Sequence, residues 1–97
     1  MTLDQMAKLF DKHNGEHLKF ERVERRFSSR PDLHAFLLLE DLVPGDDYIV
    51  SAAEHDKTYL GVDPSDLARA VTEDQVVELL RCGVLYDEEE DSLFMFT

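Results

Sequence analysis

Five consecutive acidic residues, Asp87 to Asp91, stand between apolar residues in this 97-residue sequence. Asp87, Glu89 and Asp91 have the one-three-five spacing with which an EF-hand loop begins to bind calcium. Ser92 occupies the position where that loop needs glycine, and apolar residues follow where further oxygen ligands are required. The run is therefore predicted to be a solvated hairpin turn that can present charge to a basic partner, and no metal site is expected. This candidate acidic surface consists of Asp87, Glu88, Glu89, Glu90 and Asp91.

The histidines and the single cysteine do not form a recognisable zinc site. His13 and His17 are one helical turn apart, but the intervening Asn14-Gly15 is expected to end the helix. Cys82 lies in a predicted last helical turn, where the helix dipole and Glu78 disfavour a thiolate. Cys82 is therefore interpreted as a packing residue, and no catalytic residue or cofactor is predicted.

The pair His55-Asp56 resembles part of the H…HD…D ligand set of the HD phosphohydrolases, with His34 before it and Asp63 or Asp66 after it. Those enzymes are helical bundles whose ligands project from helices, whereas this pair lies between two β-rich runs. A turn is the favoured interpretation. A small metal-dependent hydrolase is kept as an alternative function.

One basic segment, residues 19–30, interrupts the acidic pattern. It could form a docking surface for an acidic partner or a phosphate, or its arginines could pair with the protein's own excess carboxylates. We favour internal pairing, because surplus acid is abundant and exposed ion pairs are individually weak. The candidate basic patch consists of Arg22, Arg25, Arg26 and Arg30.

The formal net charge is −12, from 10 basic and 22 acidic residues. Residues 1–48 hold seven basic and ten acidic side chains (net −3), and residues 49–97 hold three and twelve (net −9). Such a field repels nucleic acids and anionic membranes and attracts basic protein surfaces. Neither direct nucleic-acid binding nor membrane association is therefore expected. A single cysteine and the absence of a leader-like apolar run favour the cytoplasm.

The elements that must position these residues are those of a single small α+β domain over residues 1–97. Thr2–Gln5 and Thr72–Gln75 read as capping boxes, Ser29 as a helix N-cap, and Gly83 as a left-handed helix terminator. Helices are predicted at about 3–13, 31–42, 64–70 and 73–82. An antiparallel sheet is predicted from hairpins at about 48–62 and 84–96, with a further strand near 17–23 favoured over a helix.

The last predicted strand contains four consecutive apolar residues, Leu93 to Phe96. A sheet covered by helices on one side needs only alternate residues to be apolar. Coverage from a second direction is therefore expected, by another element or by another chain. A homodimer through this C-terminal strand is the corresponding prediction.

The strings RPDLHAFLLLEDLVPGDDYIVSAAEHDKTYLGVD and LLRCGVLYDEEEDSLFMF resemble small uncharacterised proteins encoded by bacteriophages and prophages. The resemblance implies a phage or prophage origin and the bacterial host cytoplasm, but no mechanism and no functional residues. We therefore expect a non-enzymatic interaction protein that binds a basic surface of a host or phage protein through its acidic C-terminal half. Nucleic-acid mimicry is a sharper form of this hypothesis, and a phage structural or assembly subunit is a further alternative.

Overall fold

A computed structural model of the chain describes residues 1–45, 50–53 and 56–96. These residues form an α+β fold, as predicted, in which helices pack against an antiparallel sheet. Two short 3-10 turns, Asn14–Glu16 and Phe20–Arg22, connect the first two helices. The elements in chain order are α1 (Leu3–Lys12), α2 (Pro31–Leu42), β1 (Val50–Ala53), β2 (Lys57–Leu60), α3 (Pro64–Ala70), α4 (Glu73–Arg81), β3 (Val84–Asp87) and β4 (Ser92–Phe96).

Local hydrogen bonds fix the starts of α1 and α4. The backbone N–H of Gln5 donates to the Thr2 hydroxyl at 3.1 Å, and the N–H of Thr2 donates to the Gln5 side-chain oxygen at 2.9 Å. Thr72 and Gln75 repeat this exchange at 3.3 and 2.9 Å. Each box satisfies donors that a helix start leaves unpaired, and both predicted capping boxes are confirmed.

The start of α2 and the end of α4 test two further predictions. Gly83 follows α4 with a φ of +99°, so the predicted left-handed terminator is confirmed. The predicted N-cap of α2, Ser29, is wrong, because Arg30 takes that position. Pro31 is the first helical residue and suits the first turn, so Ser29 lies one residue too early to cap it.

The strand favoured near residues 17–23 is also wrong. Leu18 has a φ of +66°, which belongs to the left-handed region and interrupts any extended run. Its backbone N–H donates to the Leu80 carbonyl at 3.0 Å, one of the carbonyls that the end of α4 leaves without a donor inside the helix. A 3-10 turn at Phe20–Arg22 follows, and it places Val23 in the protein interior.

The strands pair antiparallel in the order β1-β2-β4-β3, so β4 lies between β2 and β3. Both predicted hairpins form, although the turn at 54–55 and residues 46–49 lie outside the described residues. Leu60 pairs with Leu93, and Val84 pairs with Met95. These residues share the sheet face that packs against Met6, Phe10, Leu39, Leu67, Val76, Leu79 and Leu80 of the helices.

The four apolar residues of β4 are divided between the two faces of the sheet. Leu93 and Met95 belong to the core beneath the helices. Phe94 points to the opposite face, yet only 8% of it is exposed. The Tyr59 ring lies 6.2 Å from it, the Phe96 ring 5.4 Å, and the Lys57 ammonium 4.8 Å from its centroid. Its own sheet thus covers Phe94, and Phe96, 56% exposed, remains the open apolar residue of this strand.

Candidate functional site

The acidic turn, residues 87–91, is held by hydrogen bonds from its own backbone and from one tyrosine. The Asp87 carboxylate accepts the backbone N–H groups of Glu89 and Glu90 at 3.0 and 3.2 Å. Asp91 adopts a φ of +48°, and its carboxylate accepts the Tyr86 hydroxyl at 2.7 Å. The two outer acids therefore build the turn, and they fix the backbone that carries the three glutamates between them.

The charge of the acidic turn is available to a partner. The side chains of Glu88, Glu89 and Glu90 are exposed. Within the part of the chain that the structure describes, none of the salt bridges includes a residue of the acidic turn. Five carboxylates at one hairpin tip also repel one another, so a cationic partner would relieve that repulsion.

Tyr86 connects the acidic turn to the helices. Partial burial raises the pKa of the Tyr86 hydroxyl, and the hydrogen bond to Asp91 and the nearby charges of Glu88 and Asp87 raise it further. Together they bring this pKa to about 12. The hydroxyl therefore stays a neutral donor to Asp91 at any physiological pH. The Tyr86 ring lies 6.4 Å from the Phe10 ring of α1, so the turn is anchored to the helical layer.

A groove between α1 and β3 opens beside the acidic turn and has a volume of about 370 Å³. Ala7, Phe10, Leu85 and Tyr86 supply its apolar surface, while polar and charged side chains stand at its rim. Sequence reasoning missed this groove, since its two walls are about 75 residues apart in the chain and no local pattern joins them. Its rim consists of Lys8, Asp11, Asn14 and Glu88.

Most of the candidate basic patch is engaged within the chain. Arg22 donates to the Glu16 carboxylate at 2.8 Å, and Arg30 donates to Asp32 at 3.1 Å. The Arg26 guanidinium donates to the Phe20 and Val23 carbonyls and lies 4.5 Å from the centre of the Phe20 ring. These contacts agree with the internal-pairing interpretation, and a role of the patch in binding an acidic partner stays a prediction.

Arg25, the fourth member of that patch, is exposed and lines a second cavity of about 340 Å³ between the basic segment and α4. The other charged side chains of this cavity have both signs, so their charges largely offset one another. They are Arg22, Glu24, Asp74, Glu78 and Arg81. This mixed lining gives the cavity no preference for an anion or a cation.

Glu16 ties the basic segment to α4. Its carboxylate accepts Arg81 Nε at 2.9 Å as well as the Arg22 guanidinium. The hydrogen bond from Arg81, together with the charge of Arg22, lowers the pKa of Glu16 below its usual value although partial burial opposes the shift. Glu73 forms a similar contact, since His13 at 2.7 Å and Lys12 at 3.4 Å lower its pKa.

His34 is fully buried and joins three parts of the chain. The backbone N–H of Phe27 donates to His34 Nδ1 at 3.0 Å, so the ring proton resides on Nε2, which lies 2.6 Å from the Glu78 carboxylate. The Phe27 ring stacks on the imidazole at 4.9 Å, and the Phe20 ring meets its edge at 5.7 Å. This ring holds the basic segment against α2 and α4.

Those residues weighed for a metal-dependent hydrolase that the structure describes form no metal-binding group. His34 is bonded as just described, and Asp63 caps α3 by accepting the Ser65 N–H at 2.8 Å. His55 lies outside the described residues. Among residues 1–45, 50–53 and 56–96, no three His, Cys, Asp or Glu side chains are grouped so that they could hold a metal ion.

Cys82 is buried directly after α4. Burial and the nearby charge of Glu78 raise the pKa of its thiol to about 12, so the thiol stays protonated and unreactive at neutral pH. Its interpretation as a packing residue is confirmed. In the same described regions, every helix is too short or too polar to cross a lipid bilayer.

The sequence matches no protein-family model, and neither a curated protein nor a solved structure shows significant similarity to the chain.

Proposed function

We propose that the protein is a non-enzymatic acidic interaction protein that binds a basic surface of another protein through its acidic C-terminal half. The observation that carries this proposal is the acidic turn. The Asp87 carboxylate orders its backbone, its three glutamates are exposed, and none of its residues forms an ion pair with another described residue. The resemblance noted above extends the proposal to a phage or prophage protein that acts on a host or phage partner in the bacterial cytoplasm.

The distribution of charge supports this assignment. The acidic turn lies in the more negative half of the chain, whereas the basic side chains Arg22 and Arg30 of the other half are paired internally. A cationic partner is therefore attracted with little competition from the protein's own arginines. Such steering acts over about 8 Å at physiological ionic strength and raises association rates.

The shape of the acidic surface distinguishes two forms of the proposal. Nucleic-acid mimicry requires a row of carboxylates at phosphate-like separation along one face. The acidic turn instead concentrates five consecutive acids at one hairpin tip. This compact patch supports a local contact with a few lysine or arginine side chains better than occupation of a long nucleic-acid groove.

The test is a pull-down from bacterial lysate at low and high salt with the wild-type protein and two charge-matched variants. The first variant, Glu88→Gln/Glu89→Gln/Glu90→Gln, removes three charges from the acidic turn. The control removes three exposed charges elsewhere through the substitutions Glu21→Gln, Glu24→Gln and Glu40→Gln. A genuine partner is retained by the wild type and the control, lost from the turn variant and released at high salt. A partner that binds all three proteins equally contradicts the proposal.

A further inference from the structure

We infer that the groove between α1 and β3 receives an apolar side chain of the basic partner. The partner segment would then combine one apolar anchor with lysine or arginine residues beside it. This inference rests on the proposed function of the acidic turn and adds the chemistry of the partner that the turn selects.

The groove has an apolar floor and the size of a side-chain pocket. Ala7 and Phe10 are buried on the α1 side, and half-buried Leu85 and Tyr86 form the β3 side. Its volume of about 370 Å³ lies at the lower end of the range of about 300–1,000 Å³ typical of small-molecule sites. Room of this size suits one large apolar side chain better than a cofactor.

The rim of the groove determines which flanking residues the anchor needs. Asp11 and Glu88 are exposed acids at its edge, and Glu88 belongs to the acidic turn. Lys8, the one cation of the lining, lies 3.3 Å from the Asp4 carboxylate, which offsets its charge. Charge complementarity therefore selects cationic residues on either side of an apolar anchor.

The groove is formed before a partner arrives. A capping box fixes the start of α1, β3 is paired to β4 along its length, and the Tyr86 hydroxyl is bonded to Asp91. The Phe10 and Tyr86 rings meet at 6.4 Å between these elements. Binding at a preformed site loses little free energy to ordering of the protein, so a short segment can bind there.

The experiment follows backbone amide resonances of the full chain by two-dimensional NMR during titration with two peptides. The probe is acetyl-Lys-Lys-Phe-Lys-Lys-amide, and its matched control, acetyl-Lys-Lys-Gly-Lys-Lys-amide, has the same charge without the anchor. We expect the probe to shift the amides of Phe10, Leu85 and Tyr86 together with those of the acidic turn. The control should shift only the turn and bind at least about tenfold more weakly, because it has no apolar side chain to bury in the groove.

Two variants separate the groove from the turn. Leu85→Ser removes one apolar wall and should abolish the preference for the probe while both peptides still bind the turn. Glu88→Gln/Glu89→Gln/Glu90→Gln should weaken both peptides. The dispersion of the amide resonances shows whether each variant is folded. If Leu85→Ser unfolds, the difference in affinity between the two peptides for the wild type is the test of the groove.

Each unfavourable outcome has a separate meaning. Equal affinities for the two peptides, with shifts confined to the acidic turn, overturn the groove inference and leave the proposed function standing. Absence of shifts at the turn with both peptides contradicts the proposed function itself. Light scattering of the chain alone that shows a dimer, with the groove amides shifting on dilution, assigns the groove to a second copy and overturns the inference.

Discussion

Replacement of His34 by alanine should be among the most destabilising single changes in this protein. The substitution removes a fully buried ring, leaves the Phe27 N–H without its acceptor at 3.0 Å, and leaves Glu78 without its donor at 2.6 Å. Two aromatic contacts, with Phe27 at 4.9 Å and Phe20 at 5.7 Å, are lost with it.

The expected loss follows from these contacts. A neutral hydrogen bond contributes about 1 kcal/mol and one to a charged group about 1.5–3 kcal/mol. Aromatic pairs add about 0.5–1.5 kcal/mol each. We therefore expect His34→Ala to lower the free energy of unfolding by about 4 kcal/mol. Because natural domains are stable by about 5–15 kcal/mol, this loss brings the chain close to unfolding at room temperature.

Urea denaturation followed by circular dichroism measures the effect. With a denaturant slope of about 1–3 kcal/mol per molar urea, the midpoint should fall by at least about 1 M. A double-mutant cycle with Glu78→Ala isolates the contact between His34 and Glu78 and should give a coupling energy of about 1.5–3 kcal/mol. Glu78→Gln is the matched control, since its amide oxygen still accepts the Nε2 proton, and it should cost about 1 kcal/mol.

Two results would refute this reasoning. A loss below about 1.5 kcal/mol for His34→Ala would mean that the ring does not hold the basic segment to α2 and α4. A coupling energy close to zero would mean that the contact between His34 and Glu78 adds nothing beyond packing.

Three further predictions concern a backbone position, an ion pair and the oligomeric state. Gly83→Ala should lower the free energy of unfolding, measured by urea denaturation, by about 1–2 kcal/mol, because φ is +99° and the new Cβ would lie 3.0 Å from a Leu18 methyl. The control Gly15→Ala, which has open space around its new Cβ, should lower it by less than half as much. The lowered pKa of Glu16 means that its ion pair stabilises the folded state fully above pH 4.5, and this stabilisation is lost as the pH falls through the lowered pKa. The free energy of unfolding of the wild type should therefore fall more on acidification than that of Glu16→Gln. Parallel plots of the free energy of unfolding against pH would exclude the ion pair as a source of stability. If the chain dimerises through β4, light scattering should show a dimer that Phe96→Ser converts to a monomer, and a monomeric wild type would remove the dimer prediction.

The elements whose signals are local could be predicted from the sequence. The two capping boxes and the glycine after α4 act through neighbours within a few residues, and their structural outcome follows from that chemistry. The strand near 17–23 failed because a distant contact decides the backbone there. The N–H of Leu18 bonds to the Leu80 carbonyl, and alternation within seven residues carries no information about that partner.

The same distinction between local signals and distant contacts applies to the candidate site. The acidic turn is contiguous, so its residues were evident from the sequence, whereas the groove needs α1 and β3 to be brought together. The burial of His34 depends on a carboxylate 44 residues away. Coverage of Phe94 depends on the pairing of β2 with β4, which places Tyr59 opposite it. Each of these features is set by tertiary packing that periodicity does not encode.

The position of β4 in the sheet has a consequence for synthesis on the ribosome. β4 is translated after the other three strands, yet it joins the β1–β2 hairpin to β3. Residues 61–91 separate β2 from β4, and at about 5–20 residues per second their translation leaves the inner edge of β2 unpaired for roughly 2–6 s. During that interval Tyr59 and Leu60 are open to other nascent chains and to chaperones. The slower the translation through α3 and α4, the longer this edge of β2 waits for its partner β4.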